Sequence, residues 1–151
     1  MEQLIQILGG IHIKERKVFA GDPGLEKSNW LAIKVVPGLY QCSVFLASVD
    51  GTADNSVVTQ MSLLSMDKKP ARKPRIDKIG VINVESGVAG VMLPNSNAVK
   101  VLTTRIKGAQ KTAIDEADGF VCKSGMGDGQ YPVITFTDSQ DQIVGLTIPF
   151  I

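Results

Sequence analysis

Three acidic residues stand beside glycine where the chain is expected to turn: Asp22 in Gly21-Asp-Pro-Gly24, Glu85 in Glu85-Ser-Gly87, and Asp128 in Gly127-Asp-Gly129. Carboxylates carried on turns can bind a hard cation through oxygen or move protons in acid–base chemistry. If the three turns gather at one end of the fold, Asp22, Glu85 and Asp128 make one site. Asp and Gly are also common turn formers, and that plainer role is the preferred expectation. No metal and no catalytic residue is assigned.

Two further groups of residues carry possible chemistry. Gly125, Gly127 and Gly129 alternate with Met126 and Asp128 and lead into Tyr131. Backbone N–H groups in such a bend can line an anion-holding concavity, with Lys123 and Lys78 as candidate countercharges. Asp128 opposes a phosphate there, so a tight structural bend is preferred. The second group is basic. Lys68, Lys69, Arg72, Lys73, Arg75 and Lys78 fall within eleven residues, interrupted by Pro70 and Pro74. They could meet phosphates or an acidic protein. No Phe, Tyr or Trp lies between residues 46 and 119, so single-stranded nucleic acid has no stacking platform. A solvated loop is the preferred reading of the segment, and nucleic acid is disfavoured as a partner.

Several chemistries lack their signatures. There is no G-x-x-x-x-G-K-S/T, and the glycines at 125–129 precede a strand rather than a helix, unlike a dinucleotide fingerprint. Nucleophile elbows, H-E-x-x-H and EF-hand spacings are missing. His12 is the single histidine, which argues against a catalytic triad or a histidine-rich zinc site. It is read as a strand-surface side chain.

The elements that must position these residues are mostly strands. Ile11 and Ile13 alternate with His12 and Lys14 after a break at Gly9-Gly10, and a second short strand follows at Val18-Phe19-Ala20. Strands are expected at 30–35, at 40–49 after Pro37-Gly38, and at 57–66 after Asp50-Gly51. Residues 79–84 and 88–93 continue the pattern around the Glu85 turn. Val99, Leu102, Ile106, Ala109 and Ala113 step at helical spacing, which predicts a short helical insertion around 95–117. The last quarter reads as an antiparallel hairpin, 131–136 and 143–150, closed by Asp138-Ser-Gln-Asp-Gln142. Ile134 and Phe136 are expected to share its core face with Leu146 and Ile148. Pro132 and Pro149 cannot donate to a ladder and belong at strand ends or on an edge.

At 151 residues one domain, 1–151, is expected, with enough chain for a real core. Apolar residues at 44% and charged residues at 21% fit an ordinary soluble protein, and the net charge of +1 demands neither nucleic acid nor membrane. No apolar run is long enough for a membrane helix, and the start Met-Glu-Gln-Leu-Ile lacks the features of a secretory signal. Cys42 and Cys122 are far apart and form no C-x-x-C, so two reduced, buried thiols in a cytoplasmic protein are expected.

Four blocks together resemble the bacterial family catalogued as domain of unknown function 4241. They are Gly21-Asp22-Pro23; Val36-Pro-Gly-Leu-Tyr40; Ile79-Gly-Val81 running into Val84-Glu-Ser-Gly87; and Gly125-Met-Gly-Asp-Gly-Gln-Tyr-Pro-Val133, followed by Ile143-Val-Gly-Leu146 to Phe150. The last block is the most specific. Glu85 and Pro149 depart from the family's pattern, which usually has Asp at both places. The resemblance spans about residues 20 to 150 and implies the fold without implying an activity.

The expected fold is α+β, mainly β: an antiparallel β-sandwich or strongly bent sheet with a short helical insertion. The expected function is a non-enzymatic binding module that recognises a protein or small ligand through its turns, with Asp22, Glu85, Asp128, Gly125, Gly127, Gly129 and Tyr131 as ligand candidates. A carboxylate- or metal-dependent enzyme using Asp22, Glu85 and Asp128 is the alternative. An immunity or counter-defence accessory protein of bacterial or phage conflict systems is the third.

Overall fold

Period-two alternation along most of the chain becomes strand. The computed structural model describes residues 2–48, 50–51, 56–94, 111–125 and 127–150. Among these residues the strands are β1 (Glu2–Ile13), β2 (Lys17–Gly21), β3 (Leu31–Lys34), β4 (Gly38–Ser48), β5 (Ser56–Ser65), β6 (Ile76–Val84), β7 (Val88–Met92), β8 (Thr112–Asp115), β9 (Gly119–Lys123), β10 (Gly129–Thr137) and β11 (Ile143–Pro149). They form a six-stranded sheet in the order β1, β4, β5, β11, β10, β6 and a five-stranded sheet in the order β3, β2, β7, β9, β8. Every pairing is antiparallel.

The sheets close over one apolar core. Tyr40, Cys42, Val44, Met61, Leu63, Leu146 and Ile148 enter from the larger sheet, and Val18, Ile33, Ala89, Val91, Phe120 and Cys122 from the smaller. Cys122 Sγ lies 3.8 Å from Met61 Sδ, a direct contact across the layers. A small second cluster, Val88 and Val121 with Ala113, sits on the other side of the five-stranded sheet. The mainly-β sandwich is therefore as expected.

The helical insertion is corrected where it can be seen. Residues 111–117 form β8 and the turn after it, while 95–110 lie outside the described residues. β8 pairs with β9, Ala113 opposite Val121 and Ile114 opposite Phe120. The ladder and the packing of Ile114 on the core outweigh a helical stripe already weakened by β-branched residues. The one helical element among the described residues is a 3-10 turn at Lys27–Asn29. The Gly9-Gly10 break is also milder than expected: β1 runs through it with a register shift between Ile7 and Gly9, a bulge rather than an end.

The closing hairpin forms, but with a different face inward. Ile134 pairs with Thr147 and Phe136 with Gly145, so both side chains leave the core. Tyr131, Val133 and Thr135 point in beside Leu146 and Ile148. One residue of register decides this, because side chains alternate faces. Pro149 ends β11, and Pro132 lies beyond the β11 ladder, paired with β6 alone.

Four connections carry the chain from one layer to the other: β1 to β2, β3 to β4, β6 to β7 and β9 to β10. The last two run side by side, because β6 pairs with β10 and β7 with β9. The Glu85 turn and the glycine-rich bend are those two crossings.

Candidate functional site

Asp22 directly follows β2 and is fully buried. Its Oδ1 accepts hydrogen bonds from Gly24 N at 2.7 Å and Ser86 Oγ at 2.6 Å. Its Oδ2 accepts from Glu85 N at 2.8 Å and Ser86 N at 2.7 Å. A carboxylate offers about four lone-pair directions, and four donors fill them. Its carbonyl accepts in addition from Trp30 Nε1 at 2.7 Å. Asp22 therefore staples the end of β2 to the β6–β7 crossing and keeps no oxygen lone pair for a cation or a substrate.

Glu85 and Asp128 do come to the same end of the molecule. They adjoin Val84 and Gly129, which pair at the end of the β6–β10 ladder. Both side chains are exposed, whereas Asp22 is interior. Among the described residues no group of three or more His, Cys, Asp or Glu could hold a metal ion.

The glycine-rich bend uses its own polar groups. Gly127 N donates to Ser124 O at 3.0 Å, and Ser124 Oγ and Tyr131 Oη donate to Gly127 O at 2.6 and 2.7 Å. Ser124 N donates to Gly87 O at 3.0 Å and ties the two crossings together. Gly125 presses on β5, where a Cβ would come within 2.1 Å of Val58 O; Gly127 holds φ at +75°. Both positions need glycine for these reasons. Tyr131 is buried edge-on to Phe150, with ring centroids 5.1 Å apart.

Lys68, Lys69, Arg72, Lys73 and Arg75 are exposed, on the connection from β5 to β6. Arg75 is occupied: it pairs with Asp77 at 2.5 Å and Asp141 at 2.6 Å, and these carboxylates raise its pKa further. The backbone is fastened to the sheet by Ala71 N to Thr137 O at 3.1 Å and Arg75 N to Thr137 Oγ1 at 2.9 Å. Lys78 falls inside β6 rather than in the loop.

The titrating groups with resolved shifts lie mostly in the core. Burial pushes the Cys42 and Cys122 thiols well above their ordinary range, so both stay protonated and unreactive. Burial, then Asp67 and Asp138, raises Tyr40 in the same way, and its hydroxyl donates to Val36 O at 2.5 Å.

A different surface is the unexpected feature. Among the described residues nine large apolar side chains are exposed: Ile5, Ile7, Leu39, Val57, Leu64, Met66, Ile76, Ile79 and Val81. All belong to the six-stranded sheet or its immediate continuation. The paired registers turn Ile5, Ile7, Leu39, Val57, Leu64, Ile76 and Val81 to the side away from the core, with Phe45, Ile134 and Phe136 in the same rows. Among the described residues Lys78 is the one charged side chain in those rows. A groove of about 840 Å³ beside β1 is lined by Ile7, Leu39 and Met66 and also by the charged Lys14, Glu15 and Glu116. The sequence signal was adjacent apolar residues of opposite parity, such as Leu4-Ile5 and Leu63-Leu64: a strand apolar on both sides.

No protein-family model, characterised protein or solved structure matches this chain. Among the described residues no helix is long and apolar enough to cross a membrane.

Proposed function

We propose that this chain is a non-enzymatic interaction module that binds a protein through the outward face of its six-stranded sheet. The carrying observation is that the nine large apolar side chains exposed among the described residues all lie on that sheet or its immediate continuation. Exposed apolar residues gathered on one sheet, flanking a central row of Ser43, Ser62 and Thr147, fit an interaction surface better than apolar residues scattered over both sheets. Charge depletion at the centre of the face fits an interface core. The residues expected to form a catalytic carboxylate site support the module reading too, since the four hydrogen bonds of Asp22 suit a staple. The two buried free thiols support a cytoplasmic setting. The likeness to domain of unknown function 4241 is a proposed kinship and adds no activity.

A photo-reactive residue placed at Leu64, and separately at Ala32 on the other sheet, tests this in the native host. An adduct heavier than the chain, and different in mass from two copies of it, is expected from Leu64 and not from Ala32. Equal labelling at both positions, or none at Leu64, rejects the outward face as the recognition surface.

A further inference from the structure

The edges of the two sheets are unequal. β3 and β8, the edges of the smaller sheet, are four residues each. β6, one edge of the larger sheet, carries Asp77 and Lys78 and is broken by a bulge at Ile79. Short length, charge and bulges all protect an edge from pairing with another chain. β1 is the exception. It is twelve residues long, among the described residues its one strand partner is β4, and its own bulge falls at Leu8, leaving the run up to Ile7 unbroken. No charged residue and no proline lies between Glu2 and Lys14. Ile5 is 64% exposed and Ile7 62%. β8 approaches at Gly9, where Ile114 would meet an added Cβ at 3.3 Å, beyond the stretch Leu4–Leu8.

That stretch, Leu4-Ile5-Gln6-Ile7-Leu8, reads the same in both directions. An antiparallel pairing about a two-fold axis at Gln6 sets Leu4 opposite Leu8 of a second copy, Ile5 opposite Ile7, and Gln6 opposite itself. Antiparallel partners share a face, so the isoleucines meet on the outward side and the leucines on the core side. The two Gln6 amides each carry a donor and an acceptor and can bond across the axis. An isologous interface must be self-complementary in this way. The charges are compatible as well: Glu2 falls opposite Gly10, so no like charges face each other.

We infer that β1 is a homodimerisation edge, joining two copies through Leu4–Leu8 into one continuous sheet of twice the width. Five residues a side bury less than the roughly 1,000 Å² that a stable interface clears. The dimer is therefore weak and concentration-dependent. It takes Ile5 and Ile7 from the margin of the proposed recognition face and leaves the rest of that face open and doubled in extent.

Sedimentation of the full chain from about 1 to about 500 µM tests the inference, because that range covers weak association. The mass should rise from one chain toward two and stop there. Gln6→Lys and Gln6→Glu each place like charges on the axis and should weaken association at least about tenfold. Gln6 is an exposed surface position, so both variants should keep the wild-type circular dichroism spectrum. An equimolar mixture of the two variants should recover a dimer. A chain that stays single throughout, variants that associate like wild type, a mixture that fails to recover, or an open series of larger species each overturns the two-fold β1 pairing. None of those results bears on the adduct expected at Leu64.

Discussion

At the scale of single residues, Asp22 shows how one side chain can look like chemistry and act as structure. Its neighbours in sequence, Pro23 and Gly24, identify a turn and nothing more. Three of its four carboxylate bonds come from Glu85 and Ser86, more than sixty residues away. No spacing rule reaches that far, so the staple was not legible, and the meeting of the Asp22 and Glu85 turns stood in the sequence only as a condition. Asp22→Asn keeps the shape but replaces an acceptor oxygen with an amide that cannot accept. At least one buried donor is then orphaned and the charge assistance is lost. The expected cost is about 3 kcal/mol, read as a lower urea midpoint at unchanged slope. A loss under about 0.5 kcal/mol would mean that the crossing is held by something else. Glu85→Gln, at an exposed side chain whose backbone N–H makes the bond, should leave stability nearly unchanged.

At the scale of elements, periodicity located the strands well and their facing poorly. The β10–β11 hairpin was visible from its two alternating runs and from the Asp138 turn. Asp138 Oδ1 does close that turn, accepting from Gln140 N and Gln142 N at 2.9 Å each. Which set of β10 residues faces inward was not visible, because both sets contain apolar side chains and a register shift between Phe136 and Thr137 resets the count. Pairing Ile134 with Leu146 by hydrophobicity was thus the wrong criterion for a strand apolar on both faces. The same two-sided character hid the outward face of the sheet. The observed register makes a clear expectation. Val133→Ala, inside the core, should cost about 2 kcal/mol, while Ile134→Ala, a larger truncation on the outer side, should cost about 1 kcal/mol or less. Chemical denaturation of the two variants compares them directly, and a larger loss for Ile134→Ala would favour the opposite register.

At the scale of the whole molecule, the question is whether two sheets behave as one body. The single-domain expectation came from length alone, whereas the structure supplies a mechanism. Four crossings, the Asp22 staple, the Ser124–Gly87 bond and a core fed by both sheets join the layers. Nothing in the composition could have revealed which strands share a sheet, because β2 pairs with β7 and β5 with β11 across long stretches of chain. If the core is shared, neither sheet can open without exposing the inner face of the other, and both must melt together. Two native probes report on them separately. Trp30, the only tryptophan, sits on the five-stranded side against Phe19, at 6.2 Å between ring centroids. Cys42 lies buried in β4 of the six-stranded sheet, with its thiol held protonated by burial. In a Cys122→Ala background Cys42 is the one remaining thiol. Its reaction with a disulfide reagent then reports opening of the larger sheet. Trp30 fluorescence and Cys42 labelling should follow one transition, with the same midpoint and slope in urea. Thiol labelling that precedes the fluorescence change would show the six-stranded sheet opening alone, and would reduce the crossings to tethers between two independently stable layers.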